Sequence, residues 1–284
     1  MTPHELCFPV AGGRRIAARD WNPGGQRRIL ALHGWLDNAA TFDLLAPLLD
    51  DARIVALDFA GHGLSDPRPS GTRSHFIDHL DDVLSVVDQL GWDEFVLMGH
   101  SMGAGIATLF AAALPERVSR LVLIEGFGPY TGQGERPAAV LRQAMTQWRD
   151  FEDRTRIMAS RELAIRARMQ GLVPVSEAAA AILCDRGVGA VEGGFVWRAD
   201  KRLRLDTPWR VTEEQVLDFI RDIRAPTLLI EAENSLPFAR AVFAKRCEVH
   251  PDLRHVLLPG GHHLHLDGDV AAVAATIRDF LLAP

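Results

Sequence analysis

Ser101 stands between two glycines in Gly99-His-Ser-Met-Gly103, where the apolar run Phe95-Val-Leu-Met98 gives way to the small-residue stretch Ala104-Gly-Ile-Ala107. Glycine at both flanking positions removes the side chains that would clash if the chain reversed from strand to helix in a sharp, strained turn. The hydroxyl would then stand clear of the backbone. The backbone N–H of Met102, at the head of the following helix, would point into the same space. A serine presented in this way is suited to attack a carbonyl, and the neighbouring N–H to stabilise the oxyanion that forms. Alone, the string is equally compatible with a loop hydroxyl or a helix N-cap. The strand before it, the helix after it and the partner residues downstream favour the chemical role.

A serine hydroxyl is a weak nucleophile at neutral pH; it needs a base, and the base needs an acid to orient it. The stretch Pro259-Gly-Gly-His-His-Leu-His-Leu-Asp267 follows the last apolar run and carries three histidines in a glycine-rich loop. One of them is expected to be the base. His262, His263, His265 and Asp267 are also metal-ligand types, but they lack the paired spacing of His-Glu-x-x-His. No second complete cluster lies upstream, although His33, His62 and His100 are present. A metal site would also leave Ser101 without a role, so no metal or cofactor is expected.

The elements that must position these groups follow from hydrophobic pattern. Short apolar runs at Arg28–Leu32, Arg53–Leu57, Phe95–Met98, Leu121–Ile124, Thr227–Ile230 and His255–Leu258 read as buried parallel strands. Between them, Phe76–Leu90 carries an apolar face opposite Asp78, Asp81 and Asp82, and Gly105–Leu114 is small and apolar before Pro115; both read as helices. The alternation predicts an α/β fold with a mostly parallel central sheet and helices on both faces. Residues 4–21 add an antiparallel edge hairpin turning through Gly12-Gly13. The alternation stops between about 129 and 221, where Met145–Arg168 reads as helical and arginine-rich and Ala178–Leu183 as a further helix. We expect a core of residues 1–128 and 222–284 and a helical cap, 129–221, inserted after the sixth strand over the carboxyl ends of the strands. Within it Met145, Trp148, Phe151, Met158, Met169 and Trp197 would roof a pocket or pack a core, while Arg142, Arg149 and Arg154 would form a solvated face or engage an acidic substrate.

Composition narrows the function classes. The 284 residues are 48% hydrophobic and 24% charged, as in an ordinary globular protein. The net charge of −6, without a basic patch, argues against nucleic acid or an anionic membrane as partner. The N-terminus has no basic start followed by an apolar stretch, and no segment approaches the length of a membrane span, so a cytoplasmic location is expected. Cys7, Cys184 and Cys247 are odd in number and widely spaced, and read as small apolar fillers rather than a disulfide framework.

Four segments carry a family resemblance. Leu32-His-Gly-Trp-Leu-Asp-Asn38, Asp58-Phe-Ala-Gly-His-Gly-Leu-Ser-Asp66, Gly99-His-Ser-Met-Gly103 and Gly260-Gly-His-His-Leu-His265 together resemble the α/β-hydrolase superfamily over nearly the whole chain. The first and last are similar to the corresponding segments of the serine-hydrolase-like proteins. The resemblance implies His262 as the base, because it directly follows the glycines, with His263 as the alternative and His265 near the pocket. Most relatives carry the acid as an aspartate after the strand written here Thr227–Ile230, but this chain reads Glu231-Ala-Glu-Asn-Ser235. A second position used in the superfamily, directly after the preceding core strand, holds Glu125. Glu125 is therefore the expected acid, with Glu233 the alternative, Glu231 behind it and Asn234 nearby. The backbone N–H of Trp35 would complete the oxyanion hole beside Met102. Asp58 would hold loops rather than perform chemistry.

The chemistry implied is cleavage of a small to medium carboxylic ester through an acyl-serine, that is, a carboxylesterase acting on a small-molecule substrate. Thioesterase, lactonase and carbon–carbon bond hydrolase reactions use the same three groups. A non-catalytic ligand-binding protein on the same fold is the alternative of a different class. A homodimer is left open.

Overall fold

The structure, a computed structural model, describes residues 2–131, 136–236 and 239–283. The N-terminal hairpin pairs β1 (His4–Val10) with β2 (Arg14–Trp21) and turns through Gly12 and Gly13, at φ 77° and 70°. Then follow β3 (Arg27–Leu32), β4 (Ala52–Leu57), α1 (Asp78–Gln89), β5 (Phe95–His100), α2 (Met102–Ala113) and β6 (Val118–Ile124). The next stretch holds α3 (Pro137–Arg149), α4 (Arg161–Met169), α5 (Glu177–Gly187), and the hairpin β7 (Val188–Val191) and β8 (Gly194–Trp197). The chain closes with α6 (Glu213–Asp222), β9 (Thr227–Asn234), α7 (Ala239–Cys247), β10 (Leu253–Gly261) and α8 (Val270–Leu282).

The main sheet has eight strands in the order β1-β2-β4-β3-β5-β6-β9-β10. Pairings β1/β2 and β2/β4 are antiparallel and the other five are parallel. This is the expected mostly parallel sheet. One face buries Val83, Val86 and Val87 of α1, Ile106, Ala107 and Phe110 of α2, and Val216 and Ile220 of α6. The other buries a 3₁₀ segment, Ala39–Phe42, and Val273, Ala274 and Ile277 of α8. Helices thus cover both faces, as a parallel sheet requires.

Strands β6 and β9 are parallel hydrogen-bonded neighbours, so the chain between them leaves the sheet at the carboxyl end of β6 and crosses back, by way of α6, to the amino end of β9. Of the stretch expected as a cap at 129–221, residues 132–135 lie outside the described residues. Two separate apolar clusters form there, one around Val175, Ala179, Ala180 and Leu183 and one around Met158, Ala164, Cys184 and Val188. Helix α6, although inside the expected boundaries, packs into the main core. Met145–Arg168 is not one helix: α3 ends at Arg149, and Met158 pairs backbone to backbone with Phe195 before α4 begins. The intervening Asp150-Phe-Glu-Asp-Arg-Thr-Arg156 is charged and lacks an apolar stripe to hold a helix against the body. Cys184 is buried as expected, but Cys7 is exposed, because the strand alternation turns Phe8 and Val10 inward and Cys7 out. No helix among the described residues is long and apolar enough to cross a membrane.

Candidate active site

Ser101 occupies the turn from β5 into α2 at φ 53° and ψ −113°, a backbone conformation that side-chain-bearing residues rarely adopt. Its backbone N–H donates to the Ile124 carbonyl at 2.9 Å, fixing the turn to the end of β6. The flanking glycines permit the close approach. A Cβ on Gly99 would lie 2.5 Å from the Gly103 backbone, and one on Gly103 would lie 2.2 Å from the Leu32 carbonyl oxygen. The first turn of α2 therefore rests directly on the carboxyl end of β3.

The three residues expected to work together are brought together. His262 Nε2 accepts from Ser101 Oγ at 2.9 Å, and His262 Nδ1 donates to Glu125 Oε2 at 2.9 Å. Glu125 sits directly after β6 at φ 54°, a second strained position beside the first. Its side chain is fully buried, a placement that is costly for a carboxylate unless it is compensated. Compensation comes from the Ala232 backbone N–H, 2.6 Å from Oε1, and the Ser235 hydroxyl, 2.8 Å from Oε2. A hydroxyl, an imidazole and a carboxylate in one hydrogen-bonded line, with the imidazole tautomer fixed by the acid, is an arrangement that can withdraw a proton from the hydroxyl during attack.

The alternatives lie elsewhere. Glu233 is exposed near the end of β9, Asn234 is exposed beside it, and Glu231 is buried but bonded to His255 at 3.0 Å and to Arg240 at 3.1 Å. His263 turns its Nε2 to Asp37, His265 bonds Thr41 at 2.8 Å, and Asp267 accepts from the backbone N–H of Ser176 at 2.7 Å. The four ligand-type residues of this loop thus diverge.

Trp35 and Met102 flank the site on two elements. Met102 is the first residue of α2, and Trp35 lies on the loop after β3 that packs against that turn. The loop is held by His33, whose Nδ1 faces the Gly34 carbonyl at 2.7 Å while its Nε2 accepts from the Phe59 N–H at 3.0 Å. Burial lowers His33 to about 4, so the ring is neutral. Leu36, at φ 60°, turns the loop so that Asp37 points inward. The Trp35 indole donates to the Leu203 carbonyl at 2.9 Å rather than packing in the core, and the residue is 42% exposed. Asp58 holds loops as expected: it accepts from the N–H groups of Ala39 (2.8 Å) and Leu64 (2.7 Å) and from Arg186 Nε (2.7 Å). Burial pushes its carboxyl up, and these donors oppose that shift.

Three residues beside the site have no counterpart among the expected set. Asp37 bonds His263 and Arg168, and His100 packs against His262, His263 and His265 with ring centroids 4.9, 5.0 and 4.2 Å away. Burial alone would raise the Asp37 carboxyl, but His263, Arg168 and His100 outweigh it and hold it well below the usual carboxylate range. Asp37, His100 and His263 bring ligand-type atoms within 4.8 Å of one another, with the Arg168 guanidinium already on the carboxylate. Ser235, which supports Glu125, was likewise not singled out; no pattern in Glu233-Asn-Ser235 marks which polar group turns inward.

Comparisons with known proteins show the family and the fold. The family model for the alpha/beta hydrolase fold matches residues 27–269. A serine hydrolase-like protein of Danio rerio is 33% identical over 98% of this chain and 88% of its own length. A crystal structure of a hypothetical protein from Pseudomonas aeruginosa PAO1 superposes with a TM-score of 0.89 at 41% identity, covering 100% of both chains. The thioesterase domain from the curacin biosynthetic pathway superposes with a TM-score of 0.86 at 25% identity, covering 98% of this chain and 100% of that domain. With the sheet order, the strained serine turn and these full-length similarities, the chain belongs to the α/β-hydrolase fold family and, within it, to the serine-hydrolase-like proteins.

Proposed function

We propose that this chain is a serine hydrolase that cleaves small to medium carboxylic esters through an acyl-serine intermediate. The observation that carries the reading is the Ser101–His262–Glu125 line of hydrogen bonds built on two strained strand ends. Ser101 Oγ attacks the ester carbonyl while His262 Nε2 takes its proton, and the negative charge that develops on the carbonyl oxygen is met by the backbone N–H groups of Met102 and Trp35. Collapse of the tetrahedral intermediate breaks the ester C–O bond, and His262 gives its proton to the leaving alcohol. Water then attacks the acyl-serine, passing a proton to His262, and collapse returns that proton to Ser101 with release of the acid. Glu125 stays ionised, holds the ring and balances the imidazolium.

The test is hydrolysis of short-chain p-nitrophenyl esters, with covalent labelling by a fluorophosphonate, for the wild type, Ser101→Ala and His262→Ala. Turnover and labelling by the wild type, both abolished in folded Ser101→Ala, are the expected result. A folded wild type that neither turns over nor labels would instead support a ligand-binding role. Cleavage of thioesters is the second reading, favoured by the 25% identity to the curacin thioesterase domain. A kcat/KM on a short acyl-thioester above that on the oxoester with the same acyl group would select it.

A further inference from the structure

The chain between β6 and β9 grips both loops of the site through one buried knot. Arg168, near the end of α4, donates through Nη2 to Asp37 Oδ1 at 3.0 Å and through Nη1 to the Val173 carbonyl at 2.9 Å. Asp37 Oδ2 accepts from His263 Nε2 at 2.9 Å, and Arg168 Nη2 lies 3.2 Å from that nitrogen. The Arg168, Asp37 and His263 side chains are only 14, 4 and 5% exposed. Asp37 shares its loop with Trp35, and His263 directly follows His262. Further contacts run the same way: Asn38 donates to the Leu183 carbonyl of α5 at 2.9 Å, Leu266 is buried among Val175, Ala179, Ala180 and Leu183, and the Ser176 hydroxyl bonds Asp267.

We propose that Arg168, Asp37 and His263 are positioning residues that set His262 and the Trp35 N–H relative to one another, making α4 part of the catalytic apparatus. The proposal rests on the serine-hydrolase reading above. The two groups sit on different loops, one after β3 and one after β10, and β3 and β10 are not neighbours in the sheet. Asp37 and His263 join those loops directly, and Arg168 neutralises the carboxylate so that the join can be buried. The trio Asp37, His100 and His263 resembles a metal-ligand set, but the cation that Asp37 needs is already supplied by the guanidinium. Removing one member leaves a buried partner unpaired, the loops readjust, and a misplacement of about 1 Å in such a site can cost roughly 10²-fold in rate.

The experiment measures kcat and KM on p-nitrophenyl acetate, together with the rate of fluorophosphonate labelling, for Arg168→Ala, Arg168→Lys, Asp37→Asn and His263→Phe. Circular dichroism and thermal melting report folding. Arg168→Ala should lower kcat about 10- to 100-fold with little change in KM, slow labelling in parallel, and be partly rescued in Arg168→Lys. Because the three act as one unit, the Arg168→Ala/Asp37→Asn double variant should be far less impaired than the product of the single effects. Arg161→Ala, which breaks the exposed Arg161–Asp185 pair between the same helices, should leave kcat unchanged. If Arg168→Ala does not fold, Arg168→Lys and His263→Phe carry the comparison. A labelled, active wild type whose folded variants keep kcat within twofold, or lose only KM, overturns this proposal alone. A wild type that neither labels nor turns over overturns the hydrolase reading and this proposal with it.

Discussion

Glu125 sits among three donors: the Ala232 N–H, the Ser235 hydroxyl and His262 Nδ1. Glutamine at this position has the same shape, but it is neutral and can turn its amide NH₂ toward Nδ1, which favours the tautomer in which Nε2 cannot accept from Ser101. Glu125→Gln should therefore lower kcat by about 10³- to 10⁴-fold while the protein stays folded. Glu233→Gln, at an exposed position, should stay within twofold, and a steady-state comparison of the two on one p-nitrophenyl ester decides which glutamate serves His262. Glu125 was legible through the family resemblance, which offers the position directly after this core strand as a place for the acid once no aspartate follows Thr227–Ile230. Asp37 and Arg168 were not, because they lie 131 residues apart and nothing local to either marks the other. Family pattern separated His262 from His263, and the structure gives the two neighbours different carboxylates, Glu125 and Asp37.

At the scale of elements, the contact between the first turn of α2 and the end of β3 does the positioning. Gly103→Ala would drive a methyl to 2.2 Å from the Leu32 carbonyl, and backbone on both sides leaves no flexible side chain to yield. We expect a loss of about 1–3 kcal/mol in unfolding free energy and, because β3 runs on into the Trp35 loop, a fall in kcat as well. Gly12→Ala has open space and only an unfavourable φ of 77°, so its cost should be about 1 kcal/mol with kcat unchanged. Urea midpoints with parallel rate measurements separate the two. The six parallel strand runs and the edge hairpin were readable because continuous apolar runs and a Gly-Gly turn are local signals, although the last run, expected to be buried, lies in β10 at the edge of the sheet and is half exposed because only one neighbour strand covers it. The β7–β8 hairpin was missed because its strands have only four residues each and are half exposed, so alternation is too brief to register. The expected helix across 150–160 failed for a related reason: charge-rich sequence there follows backbone pairing with Phe195 rather than its own propensity.

For the molecule as a whole, the join between sheet and insertion is charged and buried. Arg186 of α5 reaches Asp58 at 2.7 Å with side-chain exposures of 1 and 0%. Arg186→Ala strands that carboxylate and should cost about 3–5 kcal/mol in urea unfolding. Histidines set a second global property. His33, His62, His79, His100 and His265 are fully buried and His250 partly so, and burial lowers all six, His33 to about 4 and His62 to about 3. In the unfolded chain each returns to an ordinary value near 6.5. Below that pH the unfolded state binds more protons than the folded state, so the stability these rings contribute is intact above about 6.5 and is lost as pH falls toward about 4, at about 1.4 kcal/mol per pH unit for each fully differing group. Asp43 and Asp58, raised by burial, act in the opposite sense, but they are two acids against six histidines. Asp37, held low, contributes nothing to the trend until pH enters the ordinary carboxyl range. The urea midpoint should therefore drop steadily between pH 7 and pH 5; a midpoint that stays flat across that interval would mean that these rings take up protons in the folded protein as readily as in the unfolded chain.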